Sequence, residues 1–215
     1  MKIKWLGHSS FLITTSDNTR IITDPYDTVN GVNLKPLNES ADVVLISHHH
    51  FDHANSDCIK GNPKVLSSSG TSTIKGVEFR TILTFHDEHG GADRGANLIF
   101  CLKADDITVC HFGDLGHLLN KDQIVEIGNV DIMMIPVGGF FTIDAEKAAR
   151  IAEEIKPKLI IPMHFKTPKL DFPIDTVDKF IKGKSNVRKT GSNEINIEKG
   201  TLPSETEIIV LKTAY

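Results

Sequence analysis

The sequence predicts a layered α/β fold, in which strands alternate with helices that can cover a β-sheet. Two observations support this prediction. The first half of the chain consists largely of short apolar or β-branched runs separated by polar turns, a pattern typical of strands. The second half adds an amphipathic segment at 144–155, where apolar residues recur at helical spacing and Pro157 follows as a helix terminator.

The predicted strands follow from these runs in chain order. Residues 3–6, 11–15 and 20–23 have the pattern of a meander. The run at 43–46 reads Val-Val-Leu-Ile without interruption, which indicates a strand buried on both faces. Further strands are expected at 64–66, 77–83, 97–102, 107–110, 130–135, 159–162, 194–197 and 207–211.

Helices are fewer, and weaker patterns predict them at 54–60, 121–127 and 175–181. No Pro/Gly-rich linker or low-complexity segment divides the chain, so residues 1–215 are expected to form a single domain around one core. The stretch 183–215 carries no identifiable chemistry and is expected to complete a sheet.

Composition argues against several classes of function. The 24 basic and 28 acidic residues give a net charge of −4, which provides no general attraction to nucleic acid or anionic lipid. No segment approaches the roughly 20 apolar residues of a membrane span, and no apolar run typical of a signal peptide follows the N-terminus. Cys58, Cys101 and Cys110 are odd in number and lack CxxC spacing, which predicts reduced, mostly buried thiols and a cytoplasmic protein.

The histidines are concentrated after the predicted buried strand 43–46, in the pattern His48-x-His50-x-Asp52-His53. In an extended backbone His48 and His50 point to the same side and can reach one metal ion. A turn there can direct Asp52 and His53 toward a second ion. Imidazole and carboxylate are ligands that Zn²⁺ favours. Four ionisable groups after a buried strand could not be desolvated without partners, so a metal site is favoured over a chance polar loop.

One segment cannot complete two coordination shells, so further ligands are expected at other strand ends. His86, Asp114 and His164 each follow an apolar run. Each of them alone would be interpreted as a solvated loop residue. Together with the first motif they supply seven ligands, enough for two metal sites that share one carboxylate.

These motifs resemble those of the metallo-β-lactamase superfamily, and more narrowly its small Zn-dependent hydrolases related to L-ascorbate-6-phosphate lactonase. The narrower resemblance extends in the family's order over nearly the whole chain. It rests on His86 and on the stretches Trp5-Leu6-Gly7-His8-Ser9-Ser10-Phe11, Ile22-Thr23-Asp24-Pro25, Arg94-Gly95-Ala96-Asn97, Gly113-Asp114-Leu115-Gly116-His117, Pro136-Val137-Gly138-Gly139 and Pro162-Met163-His164.

The resemblance implies a four-layer αββα sandwich with two divalent ions at one edge. The ions are expected to be Zn²⁺, with Mn²⁺ and Fe also compatible with the donors. The implied ligands are His48, His50 and His86 for the first ion, Asp52, His53 and His164 for the second, and Asp114 as the bridge.

Other polar residues have weaker predictions. The resemblance implies that Asp24 supports a ligand histidine and that His8 and Asn97 shape the cleft. His111 and His117 lie beside the bridging carboxylate in sequence, where proton transfer, substrate binding and a supporting role all remain open. His49 should point away from the metals, and the role of His89 is undecided.

The expected activity is hydrolysis. Two metals roughly 3.5–4 Å apart can share a water and lower its pKa to about 7, which supplies hydroxide at neutral pH. This hydroxide would attack a carbonyl carbon or a phosphorus, and Asp52 or His117 would pass a proton to the leaving group. The predicted substrate is a small ester, lactone or phosphoester.

Three alternatives remain open. A tRNA-processing phosphodiesterase would share the ligand order, although this chain is acidic and has no long basic insertion. A diiron oxidoreductase would carry a flavin-binding partner domain, for which 215 residues leave no room. A non-catalytic metal or metabolite-binding protein is the third alternative. The resemblance also permits a homo-oligomer, because relatives often form multimers.

Overall fold

The computed structural model describes residues 1–213, so the last two residues of the predicted domain and of its C-terminal stretch lie outside the described part. It contains two β-sheets and three α-helices. The strands are β1 (Lys2–Gly7), β2 (Ser10–Thr14), β3 (Arg20–Thr23), β4 (Val43–Leu45), β5 (Lys64–Leu66), β6 (Gly70–Ile74), β7 (Val77–Phe85), β8 (Ala96–Ala104), β9 (Ile107–His111), β10 (Ile132–Pro136), β11 (Leu159–Met163), β12 (Val187–Lys189), β13 (Glu194–Asn196) and β14 (Glu207–Val210). The helices are α1 (Lys121–Ile127), α2 (Ala145–Ile155) and α3 (Val177–Ile181).

The smaller sheet has six strands in the order β13-β1-β2-β3-β4-β5. β1, β2 and β3 form the predicted antiparallel meander, and β3, β4 and β5 run parallel. All three residues of β4 are buried, as its uninterrupted apolar run predicts. Because β3 and β4 are parallel, the chain leaves both of them at the same edge of the sheet.

The larger sheet has eight strands in the order β12-β14-β11-β10-β9-β8-β7-β6. β9, β10 and β11 are parallel neighbours, and every residue of β10 and β11 is buried, so this part of the sheet is covered on both faces. β7 and β9 are both antiparallel to β8 and therefore run in the same direction. The segments that follow β7, β9 and β11 consequently emerge at one edge.

The main core lies between the two sheets and continues beneath the helices. Trp5 and Phe11 of the smaller sheet and Phe100 of the larger one belong to it, as do Ala148 and Ile151 of α2. Burying a side chain the size of Ile or Phe contributes about 1.5–3 kcal/mol. This core fixes the two sheets face to face, and with them the strand ends at their shared edge.

A second apolar cluster covers the other face of the smaller sheet. Leu12, Ile22 and Val44 from the strands pack there with Tyr26 and Leu34 from the long loop that follows β3. This loop, rather than a long helix, covers that face of the smaller sheet. The fold is thus mixed α/β, with two central sheets and few helices, as predicted.

The helix predicted at 144–155 is confirmed, with Asp144 as the N-cap whose side chain accepts a hydrogen bond from the Lys147 N–H. The helix at 121–127 also matches, and the one at 175–181 is shorter. The helix predicted at 54–60 is wrong, because only a 3₁₀ turn at Ser56–Cys58 forms. Lys60 instead bonds through its backbone to the extended segment at Glu39 and Ala41, which prevents a longer helix.

Two strands were missed by the sequence patterns. β6 is mainly polar, and it forms because the turn at Lys75 and Gly76, both with positive φ, folds it back onto β7. β12 has only three residues and joins the larger sheet beside β14. The C-terminal stretch therefore completes both sheets, because β13 joins the smaller one.

The prediction of three reduced thiols is wrong for two of them. Cys101 and Cys110 form a disulfide, and only Cys58 is free. The two bonded residues lie directly opposite each other on the antiparallel strands β8 and β9, with Cα atoms 4.2 Å apart. Cross-strand register, which sequence spacing does not reveal, brings the sulfurs together.

Within residues 1–213, the helices are too short or too polar to span a bilayer.

Candidate metal centre

Side chains from the segments that follow five strands, β1, β4, β7, β9 and β11, meet where the two sheets share an edge. The structure brings all seven predicted ligands together, and His8 joins them. They form three overlapping groups, in each of which the potential donor atoms lie within 4.8 Å of one another. The groups are His48, His50 and His86; His48, His53 and Asp114; and His8, Asp52, His53 and His164.

Asp114 lies at the centre of this cluster. Its Oδ2 atom is 3.1 Å from Nε2 of His164, 3.2 Å from Nε2 of His86 and 3.3 Å from Nε2 of His53. Nε2 of His48 is 3.8 Å from the same oxygen. Burial raises the pKa of Asp114, but the imidazoles of His164 and His53 outweigh it and hold the pKa well below its usual range. The cluster therefore surrounds an ionised carboxylate.

Asp24 organises two of the histidines from behind. Its Oδ2 atom accepts hydrogen bonds from Nδ1 of His53 at 3.0 Å and from the Ser47 hydroxyl at 2.7 Å. The Ser47 oxygen in turn accepts a hydrogen bond from Nδ1 of His48 at 2.9 Å. Both imidazoles are thereby oriented with Nε2, the nitrogen that a metal would bind, toward Asp114. Asp24 thus contacts the histidine motif as the resemblance implies.

His8 and Asp52 form a second contact at the cluster. Nε2 of His8 lies 3.2 Å from Oδ2 of Asp52, and the His8 ring centroid is 4.2 Å from that of His164. Burial lowers the pKa of His8 to about 4, so its ring is neutral near pH 7. Burial raises the pKa of Asp52, but His53 and the hydrogen bond from His8 outweigh it and lower that pKa. Asp52 is consequently a carboxylate held by a neutral donor.

Several buried polar atoms of the cluster have no hydrogen-bond partner within residues 1–213. They include Nε2 of His48, Nε2 of His53 and Oδ1 of Asp114. An unsatisfied buried polar atom costs about 1–3 kcal/mol, so such atoms rarely gather without a ligand. A divalent cation would bind all three, and a donor set of imidazole nitrogens and carboxylate oxygens suits Zn²⁺, Mn²⁺ or Fe. The residues present therefore fit a metal centre.

Comparison with known proteins agrees with this geometry. A Thermotoga maritima protein assigned to the Zn-dependent hydrolases of the metallo-β-lactamase superfamily superposes with a TM-score of 0.83 at 35% identity, covering 99% of this chain and 98% of that one. The sequence profile of the β-lactamase superfamily domain matches residues 2–164. The chain belongs to the metallo-β-lactamase superfamily.

Relatives of this superfamily member have a common activity class. A UPF0173 metal-dependent hydrolase from Archaeoglobus fulgidus is 29% identical over 86% of this chain and 92% of its own length. One from Koribacter versatilis is 31% identical over 85% of this chain and 92% of its own length. The protein is a metal-dependent hydrolase, which confirms the predicted superfamily and enzyme class. The narrower relation to L-ascorbate-6-phosphate lactonase stays a prediction.

Asn97 and Gly113 position the central carboxylate of the hydrolase. The Asn97 side chain donates to Thr84 Oγ1 at 2.8 Å and to the Phe112 carbonyl at 3.0 Å, while its Oδ1 accepts the Asp114 N–H at 2.8 Å. Gly113 has φ +53°, and a Cβ there would overlap the side chains of Asn97 and Ser47. Asp114 can enter the cluster because glycine precedes it and a buried amide anchors it.

The loop after His86 is held by Asp87, which sequence reasoning missed. Its carboxylate accepts four backbone N–H groups, at 2.8 Å from His89, Gly91 and Arg94 and at 3.0 Å from Asp93. Burial raises the pKa of Asp87, but these donors outweigh it and lower the pKa to about 2. The only sequence signal was an Asp beside a predicted ligand, ahead of a glycine-rich turn.

His117 and His111 are held by backbone groups. The His117 ring accepts the Phe85 N–H at Nε2, 3.1 Å away, and its Nδ1 lies 2.8 Å from the Leu118 carbonyl. Both ring nitrogens of His117 therefore contact backbone groups and help to hold the loop in place. His111 is fully buried, with Nε2 2.8 Å from the Ser9 carbonyl, and burial lowers its pKa.

Two further histidines lie outside the donor groups. His49 is exposed between the two neighbouring predicted ligands, as its position in the motif predicts. His89 is also exposed and pairs with Asp93, which raises the pKa of its ring. His8 is the residue whose place in the cluster the sequence analysis underestimated. Its signals were its position directly after β1 and its place in the first stretch of the family resemblance.

A cleft of about 230 Å³ gives access to the cluster. Its walls include aromatic rings and one cation that were not predicted as site residues. The lining residues outside the cluster are Phe51, Arg94, Phe141 and Phe172. A substrate that reaches Asp114 must therefore pass an aromatic wall and a guanidinium group.

Proposed function

We propose that the hydrolase binds two divalent metal ions, Zn²⁺ in the first place, and cleaves an ester, lactone or phosphoester bond of a small metabolite. The observation that supports two ions is that two of the donor groups share no residue, whereas the third group, His48, His53 and Asp114, has one residue in common with each of them. In this proposal the first ion is bound by His48, His50 and His86, and the second by Asp52, His53 and His164. Asp114 would be a ligand common to both ions.

Such ions supply a nucleophilic hydroxide at neutral pH and neutralise negative charge on the reacting group. The protein's own side chains fix the geometry. Asp24 orients His53 directly and His48 through Ser47, so that these two rings need no rearrangement to bind. Seven of the eight donor residues are buried and His50 is exposed, and burial strengthens the electrostatic interactions among the seven.

Asp52 is the group proposed to move the proton. Its carboxylate lines the cleft together with Asp114 and His164. It can therefore accept a proton from the attacking water and pass it to the leaving group. The hydrogen bond with His8 holds Oδ2 in place, 3.2 Å from Nε2.

A small substrate is favoured over a nucleic acid. The cleft has a volume of about 230 Å³, and the net charge of −4 provides no general attraction to a phosphate backbone. The partner that we propose is accordingly a small molecule.

The first test combines metal analysis with a substrate panel. Purified protein is analysed for Zn, Mn and Fe, and then assayed with lactones, aryl esters, phosphodiesters and β-lactams. The proposal expects about two metal equivalents per chain and turnover of at least one ester, lactone or phosphoester. Turnover that continues undiminished after complete chelation would contradict it.

The second test uses variants of the cluster. His48→Ala and Asp52→Asn should each lower metal content and reduce kcat/KM by about 10²–10⁴-fold, because they remove a ligand and the proton carrier respectively. His89→Ala is the matched control for the first, because His89 is exposed and lies outside the donor groups. A double variant that is free of metal and fully active would end this proposal.

A further inference from the structure

Arg94 places a cationic guanidinium group in the wall of the metal cleft. Its guanidinium carbon lies 4.8 Å from the centroid of the Phe141 ring, and both residues line the cleft beside Asp52 and His164. Within residues 1–213 no carboxylate pairs with it, whereas Arg20 pairs with Glu39 at 2.9 Å. A half-buried guanidinium that only stacks on a ring has its hydrogen-bond donors available to a ligand.

The backbone of Arg94 is fixed relative to the cluster. Its N–H donates to Oδ2 of Asp87 at 2.8 Å, and the next residue, Gly95, accepts the N–H of His86 at 3.0 Å. Gly116 packs so closely on this segment that a Cβ there would overlap the backbone of His86 and Asp87. The loop from Asp87 to Gly95 is thus joined to the predicted ligand His86 twice, by the chain at Asp87 and by the hydrogen bond at Gly95. Such a fixed position preorganises the cation for binding.

Arg94 also lines a second cavity, of about 490 Å³, which lies next to the metal cleft and shares His50 with it. Three consecutive serines, Ser67, Ser68 and Ser69, line this second cavity. Arg94 therefore lines both the metal cleft and a neighbouring cavity, in which serine hydroxyls lie beside apolar side chains such as Leu83 and Leu98. A molecule whose reacting bond lies at Asp114 can extend a polar group past the guanidinium.

We propose that Arg94 binds an oxyanion of the substrate, a carboxylate or a phosphate, that is separate from the bond being cleaved. A guanidinium can bind either group through two parallel N–H···O hydrogen bonds, and the ring of Phe141 holds its plane in position. The inference rests on the proposed hydrolytic function of the cluster. It narrows the substrate class to small anionic esters or phosphoesters.

The test compares two aryl esters that differ in charge, mono-4-nitrophenyl adipate and the neutral 4-nitrophenyl hexanoate, with metal-loaded protein. Arg94→Gln should lower kcat/KM for the adipate ester by about 10–100-fold, the usual effect of losing a charge-assisted hydrogen bond. It should change kcat/KM for the neutral ester by less than about threefold. Arg94→Lys should recover part of the loss, because it restores the charge but not the paired geometry.

Arg150→Gln is the matched control, because it removes the same charge from an exposed position of α2 that lines neither cavity. It should leave both esters unaffected. If Arg94→Gln lowers the activity on the two esters equally, or on neither, anion binding by Arg94 is refuted. Metal content and melting temperature are measured for each variant, so that loss of metal or of folding is recognised.

A binding measurement separates this inference from the hydrolytic proposal. Succinate and inorganic phosphate are titrated calorimetrically into wild-type protein and the Arg94→Gln variant. The inference expects at least one of the two anions to bind the wild type at least about tenfold more tightly than it binds the Arg94→Gln variant. The anion that binds the wild type more tightly identifies the preferred group. If neither ester is hydrolysed but this difference is found, the ester proposal fails and anion binding stands. Equal affinities for both proteins overturn the inference even if the esters are hydrolysed.

Discussion

Asp24 accepts a hydrogen bond from Nδ1 of His53 at 3.0 Å, while Nε2 of the same ring faces Oδ2 of Asp114 at 3.3 Å. The buried carboxylate therefore determines which nitrogen of His53 is available to a metal. Asp24→Asn keeps the size but weakens this acceptor and removes its charge. We expect metal affinity to fall by about 10–100-fold, measured by competition with a chromophoric chelator.

Asp106→Asn is a suitable control for this substitution. Asp106 is exposed, and like Asp24 it has a positive φ, a backbone conformation that asparagine tolerates. The control should bind metal as the wild type does. An Asp24→Asn variant with unchanged metal affinity would show that Asp24 does not set the orientation of His53.

Metal binding should release a proton from His53. Burial lowers the pKa of this ring, but Asp114 and Asp52 outweigh it and raise the pKa well above its usual value in the metal-free protein. The ring is therefore protonated at neutral pH, and a metal must displace that proton to bind Nε2. Calorimetric titration of Zn²⁺ at pH 7.5, in buffers with different ionisation enthalpies, should give about two released protons per chain, one from His53 and one from the metal-bound water.

The same raised pKa determines how the stability of the metal-free protein depends on pH. The His53–Asp114 pair contributes fully below the unfolded pKa of about 6.5, and its contribution is lost as the pH rises through the raised pKa. Urea unfolding of chelator-treated protein should therefore show a falling free energy of unfolding between neutral and alkaline pH. Release of only one proton and a flat pH profile together would argue against a protonated His53.

Much of the site could be predicted because its chemistry is local in sequence. The His48-to-His53 motif follows a buried strand directly, and strand direction then brings the ends of β7, β9 and β11 to the same edge. Asp87 and Arg94 escaped prediction, because their roles depend on how one loop closes against Gly116. His8 also depends on tertiary structure, since it meets Asp52 across 44 positions of sequence.

The fold was predictable where hydrophobic pattern and capping agree. Asp144 caps α2 at the position where the apolar stripe begins, so sequence and structure coincide there. β6 has no apolar pattern and exists because it pairs with β7, and the segment around Lys60 is extended because it pairs with a distant loop. Pairing partners far along the chain are not encoded by local periodicity.

The Cys101–Cys110 disulfide predicts the number of reactive thiols. Protein purified without reductant and unfolded in guanidinium should yield about one thiol per chain, from Cys58, and about three after reduction. The measurement is a titration with a chromogenic disulfide reagent. Cys58→Ser should bring the unreduced value to about zero, and three thiols in the unreduced wild type would contradict the disulfide.

Gly113 should be the glycine whose substitution damages the site most directly. A Cβ at this position would overlap Oδ1 of Asn97 and Cβ of Ser47. Asn97 anchors Asp114, and Ser47 anchors His48. Gly113→Ala therefore adds overpacking, about 1–3 kcal/mol, to the strain of a positive φ, about 1–2 kcal/mol. Gly191→Ala separates the two effects, because Gly191 has φ +67° and nothing within 4 Å of the added Cβ. Urea unfolding should show a loss of about 2–5 kcal/mol for Gly113→Ala and about 1–2 kcal/mol for Gly191→Ala, with weaker metal binding only in the former. Equal losses in the two variants, with metal binding intact, would mean that the neighbours of Gly113 can move apart without disturbing Asp114.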